Sequence, residues 1–300
     1  MMKTLKEKFN NEGPILSWIL LITLAVIWGS SFILIKKGLV SFSPLQVGAL
    51  RISFAFLVML PFAVKSLTTT FKKYWKKIFV IGFFSNLFPA FLFATAETGI
   101  SSSLAGILNA LTPIMTFLAG VFFFSTSIKS LQVLGLLVGF VGSFALSFIN
   151  STGGLGEFNH YALFVVLATM MYGFSGNFIK KYLYGIHPVT LTALAMFTVG
   201  PLSIIILLSS DFFARLSMND GAMVSLGYIF LLGAIGTAFA LVLFNRLIQR
   251  TTAVFASSVT YLIPITAVAW GILDGENFFV LHIFGMGFII IGIYLINKRK

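Results

Sequence analysis

The chain has 300 residues, of which 58% are hydrophobic and 9% are charged, with a mean hydropathy of +1.03 and a formal net charge of +12. So little polar sequence does not cover the surface of a soluble protein of this size, which predicts a protein embedded in a bilayer. The basic residues form short clusters between apolar runs, a pattern that indicates membrane anchoring and excludes a nucleic-acid partner. The absence of cysteine excludes disulfide scaffolds and thiolate sites.

Ten apolar stretches are long enough to cross a bilayer, because a helix needs about 20 residues to span a hydrocarbon layer roughly 30 Å thick. In the first half they run from Ser17 to Ile35, Pro44 to Val64, Ile78 to Ala96, Ser101 to Phe124 and Leu131 to Ile149. In the second half they run from His160 to Ile179, Pro188 to Ser209, Ala222 to Phe244, Thr252 to Leu273 and Phe279 to Asn297. These are the first to tenth predicted spans.

The two halves repeat each other. The stretch around Trp28-Gly29 returns 144 positions later as Tyr172-Gly173, and later blocks return at an offset of 151. We therefore predict two repeats, 1–150 and 151–300. Each contains five spans, an odd number, so the second copy must enter the membrane from the opposite side. Inverted repeats are a recurring transporter architecture, with the substrate near the repeat interface.

Lysine and arginine predict the orientation. With the N-terminus in the cytoplasm, 16 of the 20 basic residues fall on the cytoplasmic side. We therefore expect a multi-pass protein of the cytoplasmic (inner) membrane with both termini in the cytoplasm.

Arg51 is the most informative ionisable residue. It lies seven positions after Pro44, about 10 Å along the second span, where a charge is costly. One interpretation is an electrostatic partner for an anionic group, such as an amino-acid carboxylate. The other is an arginine that snorkels outward or bonds nearby carbonyls. Its counterpart in the second repeat is Ala195, so its role is confined to one half.

Further polar and aromatic residues lie within the spans, several of them at equivalent positions of the two repeats. Such residues need a partner in lipid, either another helix or a solute, so close helix packing is the competing interpretation. Two prolines predict kinks that free carbonyls toward a cavity. The candidate substrate-binding residues are Trp28, Ser31, Arg51, Asn86, Asn109, Tyr172, Asn177, Thr237 and Thr260, and the candidate kinks are Pro113 and Pro264.

Glu97 is a candidate proton or cation site at the end of the third span, with a solvated helix-end carboxylate as the alternative. The spans contain no paired acids, no Ser-His constellation and no metal-ligand spacing. We therefore expect no enzyme activity, no metal and no cofactor.

Small residues mark the fifth and tenth spans. Gly135, Gly139 and Ser143 form a ladder in the fifth, and Gly285 and Gly292 stand seven residues apart in the tenth. Such residues let helix backbones approach closely. These spans either brace each half or form a homodimer contact.

Together these residues resemble the drug/metabolite transporter superfamily, specifically its EamA-type ten-helix branch. The resemblance rests on Trp28-Gly29 followed by small polar residues, Pro44 with Arg51, the helix containing Pro113, and Pro264 followed by Gly275-Glu276. It covers nearly the whole chain and implies ten helices in two inverted repeats around a central cavity, and the movement of small organic solutes, in many relatives the export of amino acids. The sequence departs from the pattern at Ser125, Tyr172 and Ala195.

The leading hypothesis is a transporter that exports a small polar or zwitterionic metabolite, such as an amino acid, by alternating access, with the lipid bilayer as its surroundings. The alternative within transport is proton-coupled efflux of hydrophobic cations. From other classes, a structural membrane scaffold and an intramembrane enzyme remain as competing hypotheses.

Overall fold

The computed structural model describes residues 14–127, 129–149, 160–273 and 280–298. This part of the chain is helical apart from turns and contains no β-strand, so the predicted all-α fold class is confirmed. The predicted repeat boundary at residues 150 and 151 and the Gly275-Glu276 motif lie outside the described residues.

The first half, 14–149, contains eight α-helices and two π-helical segments. The α-helices are α1 (Pro14–Gly29), α2 (Ser31–Leu39), α3 (Pro44–Val64), α4 (Lys72–Gly82), α5 (Phe88–Ala96), α6 (Ser102–Asn109), α7 (Thr112–Phe124) and α8 (Ser130–Ile149). The π-helical segments are Leu67–Phe71 and Phe83–Leu87, the second of which joins α4 to α5.

The second half, 160–298, has a similar order, but its first helix is unbroken and its described part contains one π-helical segment. Its helices are α9 (His160–Tyr182), α10 (Pro188–Leu208), α11 (Phe212–Met218), α12 (Ala222–Gly233), α13 (Ala240–Arg250), α14 (Ala253–Ser257), α15 (Val259–Leu273) and α16 (Val280–Asn297). A π-helical segment, Ala234–Phe239, joins α12 to α13.

Seven helical stretches of the described chain are long and apolar enough to cross a bilayer, and three further apolar helices are shorter. Together they correspond to the ten predicted spans. Large apolar side chains such as Phe122 and Phe123 are exposed, as expected on a surface that faces lipid chains. The chain is therefore a multi-pass membrane protein.

Helices at equivalent positions of the two halves pack against each other. Helix α3 contacts α10, and α8 contacts α16. This pairing is what a pseudo-two-fold axis between two repeats produces, because helices near the axis meet their own counterparts. In the α8–α16 pair, a Cβ on Gly292 would lie 2.5 Å from the backbone nitrogen of Gly139. The predicted glycine ladders thus support helix contact within the chain, and a homodimer through the same helices would have to use their other faces.

Sequence signals explain how α3 begins. Ser43 caps the helix by accepting a hydrogen bond from the backbone of Gln46, and the Gln46 side chain accepts one from the backbone of Ser43. Gln46 also reaches the second half, where its amide donates to Asp211 at 2.8 Å and to Ser210 at 3.2 Å. A hydrogen bond from Arg215 lowers the pKa of Asp211, so this exposed carboxylate is ionised at neutral pH.

More contacts join the two halves at the same end of the bundle. The Ser41 and Ser225 hydroxyls lie 3.0 Å apart, and the Asn219 amide donates to the Ser41 carbonyl at 3.2 Å. The rings of Phe42 and Phe212 stack beside them with centroids 5.6 Å apart. These polar and aromatic contacts hold the α2–α3 connection against the α10–α12 connection.

The α8–α16 packing predicts an asymmetric response to two alanine substitutions. Gly292→Ala pushes a methyl group against backbone atoms, which cannot rotate away as a side chain can, and overpacking costs about 1–3 kcal/mol. We expect a lower midpoint of thermal denaturation for the purified protein in detergent. Gly287→Ala in the same helix is the control, because a Cβ there meets nothing within 4 Å. Equal destabilisation by both substitutions would contradict this packing.

Candidate functional site

A cavity of about 90 Å³ lies between the two halves, large enough for several water molecules. Both halves line it. Its described walls are formed by Trp28, Ser31, Phe32, Ile35, Arg51, Ile52, Ser85, Asn86, Phe93, Asn109, Thr112 and Thr116 from the first half, and by Tyr172, Gly176, Gly236, Thr237, Leu241, Phe244, Ala253, Ser257, Val259, Thr260 and Ile263 from the second.

The structure brings eight of the nine candidate substrate-binding residues together in this cavity. They are Trp28, Ser31, Arg51, Asn86, Asn109, Tyr172, Thr237 and Thr260. That these residues bind a substrate stays a prediction.

Asn177 is the ninth candidate, and it is not among the lining residues. Its amide donates to the carbonyl of Thr116 at 2.7 Å and to that of Gly173 at 2.9 Å. Both bonds are buried, so this side chain joins α9 to α7. The sequence pattern could not separate this packing role from a lining role, since both need a polar residue in a span.

Irregular backbone surrounds the cavity. The π segment Phe83–Leu87 supplies Ser85 and Asn86, and its counterpart Ala234–Phe239 supplies Gly236 and Thr237. Further lining residues flank the interruptions between α1 and α2, α6 and α7, and α14 and α15. Inside a membrane, such backbone is tolerated where it is buried in protein or lines a cavity, because lipid offers no hydrogen-bond partners.

The two candidate kinks lie just beyond two of these interruptions. Pro113 is the second residue of α7, and Pro264 lies inside α15. A proline cannot donate to the carbonyl four residues before it, which affects Asn109 and Thr260. The Asn109 carbonyl accepts a hydrogen bond from the Thr112 hydroxyl at 2.7 Å instead. Both affected residues line the cavity.

Side chains stabilise the π segments. A π-helix leaves extra space in its turn, and in both segments a side chain bonds the carbonyl five residues earlier: Asn86 to Ile81 at 3.0 Å and Thr237 to Leu232 at 3.0 Å. The Trp28 indole donates to the Gly236 carbonyl at 3.0 Å. π-bulges occur frequently at functional sites.

Arg51 places a charge in the cavity wall. Its Nε donates to the Thr237 hydroxyl at 2.7 Å, a bond that joins the two halves. Among the described residues, its Nη1 and Nη2 amino groups have no hydrogen-bond or ion-pair partner within bonding distance. It interacts electrostatically with the Glu97 carboxylate, beyond hydrogen-bonding distance. Since the guanidinium carries five N–H donors, four remain for a ligand or water.

Aromatic rings make up much of the remaining wall. Phe93 stacks on Tyr172 with centroids 6.2 Å apart, and Phe32 packs edge-on against Phe93 at 6.1 Å. Trp28 and Phe244 form a further edge-on pair at 5.1 Å. Next to the polar groups, this wall offers an apolar surface to the rest of a ligand.

Glu97 lies outside the set of described lining residues. One carboxylate oxygen accepts a hydrogen bond from Ser102 at 3.1 Å, while the other, Oε1, is buried without a partner. Lys36 and Arg51 both interact with this carboxylate electrostatically. It is therefore half-buried near Arg51 rather than fully solvated.

Sequence reasoning missed the phenylalanines of the lining and the π-helical backbone beside it. The phenylalanines Phe32, Phe93 and Phe244 could not be separated from the many lipid-facing phenylalanines of the chain. The π-helical segments interrupt the predicted third and eighth spans, and Asn86 and Thr237 at equivalent positions are their only sequence signal.

In the described part of the chain, no group of three or more His, Asp or Glu residues could hold a metal ion.

Comparison with known proteins gives consistent results. The chain is 26% identical over 294 residues to a protein of Archaeoglobus fulgidus named as an uncharacterized transporter, covering 94% of this chain and 99% of that protein. It is 23% identical over 284 residues to the uncharacterized inner membrane transporter YedA of Escherichia coli K12, covering 93% and 90% respectively. A crystal structure that shares 14% sequence identity superimposes with a TM-score of 0.70 over 93% of this chain and 95% of that one, which shows a common fold.

The sequence model of the EamA-like transporter family matches this chain twice, at residues 16–148 and 160–298. The two matches correspond to the two halves that meet at the cavity. The protein is therefore a membrane transporter that belongs to the EamA-like transporter family.

Proposed function

We propose that the protein exports a small zwitterionic metabolite, such as a neutral amino acid, by alternating access of the cavity to the two sides of the membrane. Arg51 binds the carboxylate of the solute. The polar residues beside it orient the solute, and the aromatic wall contacts its apolar part. The two termini lie in the cytoplasm.

The observation that carries the proposal is the charge of the cavity. Arg51 is the only Lys, Arg, His, Asp or Glu among the described lining residues. The other ionisable group in this lining, the phenol of Tyr172, is neutral. Its Nη groups have no protein acceptor among the described residues. An unneutralised guanidinium at membrane depth is costly, and a carboxylate that binds it bidentately lowers that cost. The same charge repels organic cations.

The fold supports alternating access. Inverted repeats place a substrate near the interface between them, and movement of one repeat against the other exposes the site to either side. The contacts at the Gln46 end of the bundle, between Gln46 and Asp211 and between Ser41 and Ser225, must break for access from that end. The direction of export rests on the resemblance to amino-acid exporters.

Uptake into proteoliposomes that contain the purified protein tests the proposal. The panel consists of leucine, methionine, phenylalanine and threonine, with isoamylamine and tetraphenylphosphonium as cations. We expect faster entry of at least one amino acid than into protein-free liposomes, and no entry of the cations. If no amino acid enters, the proposed function is wrong. In cells, export predicts lower intracellular accumulation of the same amino acid.

Arg51→Gln is expected to reduce transport of carboxylate-bearing solutes by about tenfold or more, because hydrogen bonds to charged groups contribute about 1.5–3 kcal/mol. The measurement is the initial rate of amino-acid uptake at several concentrations. Lys72→Gln is the control, since this cationic side chain is exposed and lies outside the cavity lining. Unchanged kinetics in Arg51→Gln would contradict the role of Arg51.

A second candidate function, proton-coupled transport with efflux of hydrophobic cations, is favoured by Glu97. Its Oε1 atom is buried and unpartnered, as a carboxylate that exchanges a proton would be. The proximity of Arg51 and Lys36 opposes cation binding at this position, although proton coupling of amino-acid export remains compatible with it.

Glu97→Gln separates coupled from uncoupled transport. If Glu97 carries the proton, the substitution abolishes the dependence of uptake on an imposed pH gradient, since an amide does not titrate. The measurement is uptake with and without the gradient at constant internal pH. Asp220→Asn, which alters an exposed carboxylate outside the cavity lining and outside the Gln46–Asp211 contact, is the control. A pH response retained in Glu97→Gln would remove this residue from the coupling mechanism.

A further inference from the structure

The third and eighth spans contact the opposite repeat in the same way. Gly82 directly precedes one π segment, and a Cβ there would lie 3.1 Å from the carbonyl oxygen of Ala195 in α10. Gly233 precedes the other, and a Cβ there would lie 2.8 Å from the carbonyl oxygen of Arg51 in α3. The backbone at position 51 therefore packs next to the start of one π segment as the backbone at position 195 packs next to the start of the other.

The side chains at these two positions differ. Arg51 donates to Thr237 in the π segment that it faces. Ala195 has no polar side chain to donate to Asn86, the residue equivalent to Thr237. The two equivalent sites therefore differ. At one, Arg51 donates to Thr237, and at the other, Asn86 offers an acceptor but position 195 offers no donor.

The acceptor that lacks a donor is the Oδ1 atom of Asn86. The Asn86 side chain is only 6% exposed and lines the cavity. Its Nδ2 atom donates to the Ile81 carbonyl, which fixes the orientation of the amide, and Oδ1 is buried without a hydrogen-bond partner. A buried acceptor without a partner destabilises the site, so a donor brought by a ligand is favoured there.

We propose that Asn86 Oδ1 receives the ammonium group of the substrate while Arg51 binds its carboxylate. This inference rests on the proposed function and adds the residue that selects amino acids over simple carboxylates. The asymmetry between Arg51 and Ala195 gives the substrate one orientation in a frame that otherwise has two-fold symmetry. A neutral amide oxygen suits this role, because it accepts from an ammonium group without adding a second charge to the site.

The assignment predicts a specific loss of discrimination. Leucine and isocaproate share the carboxylate and the branched chain, and only leucine has the amino group. The same comparison holds for phenylalanine and hydrocinnamate. Wild-type protein should therefore show a lower KM for each amino acid than for the carboxylate that lacks the amino group.

Asn86→Thr tests this residue with little risk to the fold. Threonine occupies the equivalent position, where Thr237 makes the same type of bond to the carbonyl five residues earlier. The shorter side chain withdraws the acceptor from the cavity. We expect the KM for leucine to rise about tenfold while the KM for isocaproate changes less than about twofold, since a hydrogen bond to a charged group contributes enough for a tenfold effect. Thermal denaturation checks that the variant remains folded.

Asn109→Thr is the matched variant, the same substitution at another lining asparagine. The Oδ1 atom of Asn109 already has a donor nearby, the Thr112 hydroxyl at 3.2 Å, whose hydrogen it shares with the Asn109 carbonyl. Whatever its effect on the rate, this variant should change the KM values for leucine and isocaproate by similar factors. If it lowers the discrimination as Asn86→Thr does, the selectivity belongs to the cavity as a whole and the assignment to Asn86 is overturned.

The remaining outcomes distinguish the two proposals. If wild-type protein carries amino acids and Asn86→Thr changes both KM values equally, or neither, Asn86 does not bind the ammonium group and the proposed function stands. If wild-type protein carries leucine and isocaproate equally well, the inference is again overturned. If it carries none of the four probes, the zwitterion export proposal fails and the inference fails with it.

Discussion

The constraint behind this structure is that a backbone polar group at membrane depth needs a partner within the protein. Most of the described chain meets it with regular helix. Two of the three π-helical segments of the described chain and three helix interruptions converge on one cavity between the halves. Trp28, Asn86, Thr112 and Thr237 bond carbonyls around this cavity. Some of the residues that line the site therefore also satisfy the backbone carbonyls around it.

Close helix packing complements this constraint. The α8–α16 pair approaches through glycines, and Gly82 and Gly233 bring the two π segments against the opposite half. These contacts leave little room for adjustment, because backbone atoms are among the near neighbours of each of these glycines. In the described structure, the glycines hold the frame rigid where helices cross. The cavity residues occupy the space between.

Departure from symmetry gives the cavity its chemistry. The two π segments and their glycines are equivalent, but Arg51 faces one segment and Ala195 the other. The cavity wall therefore contains both a guanidinium and an amide oxygen that has no hydrogen-bond partner among the described residues. A symmetric frame suits alternating access, since each repeat can adopt the other's conformation, whereas asymmetric side chains suit recognition of a solute with two different ends.

The sequence by itself determined the membrane location, the spans, the duplication and eight of the residues that meet in the cavity, because apolar length and repeated positions are local properties of the chain. Only the tertiary structure decided that Asn177 packs against α7, that Arg51 bonds Thr237, and that Asn86 keeps an unpaired oxygen. A polar residue within a span needs a partner, but the sequence does not identify it, because partners 61 and 186 residues away are chosen by how the helices pack. The two π segments beside the cavity also depend on tertiary packing, since they lie where a helix packs against the opposite repeat.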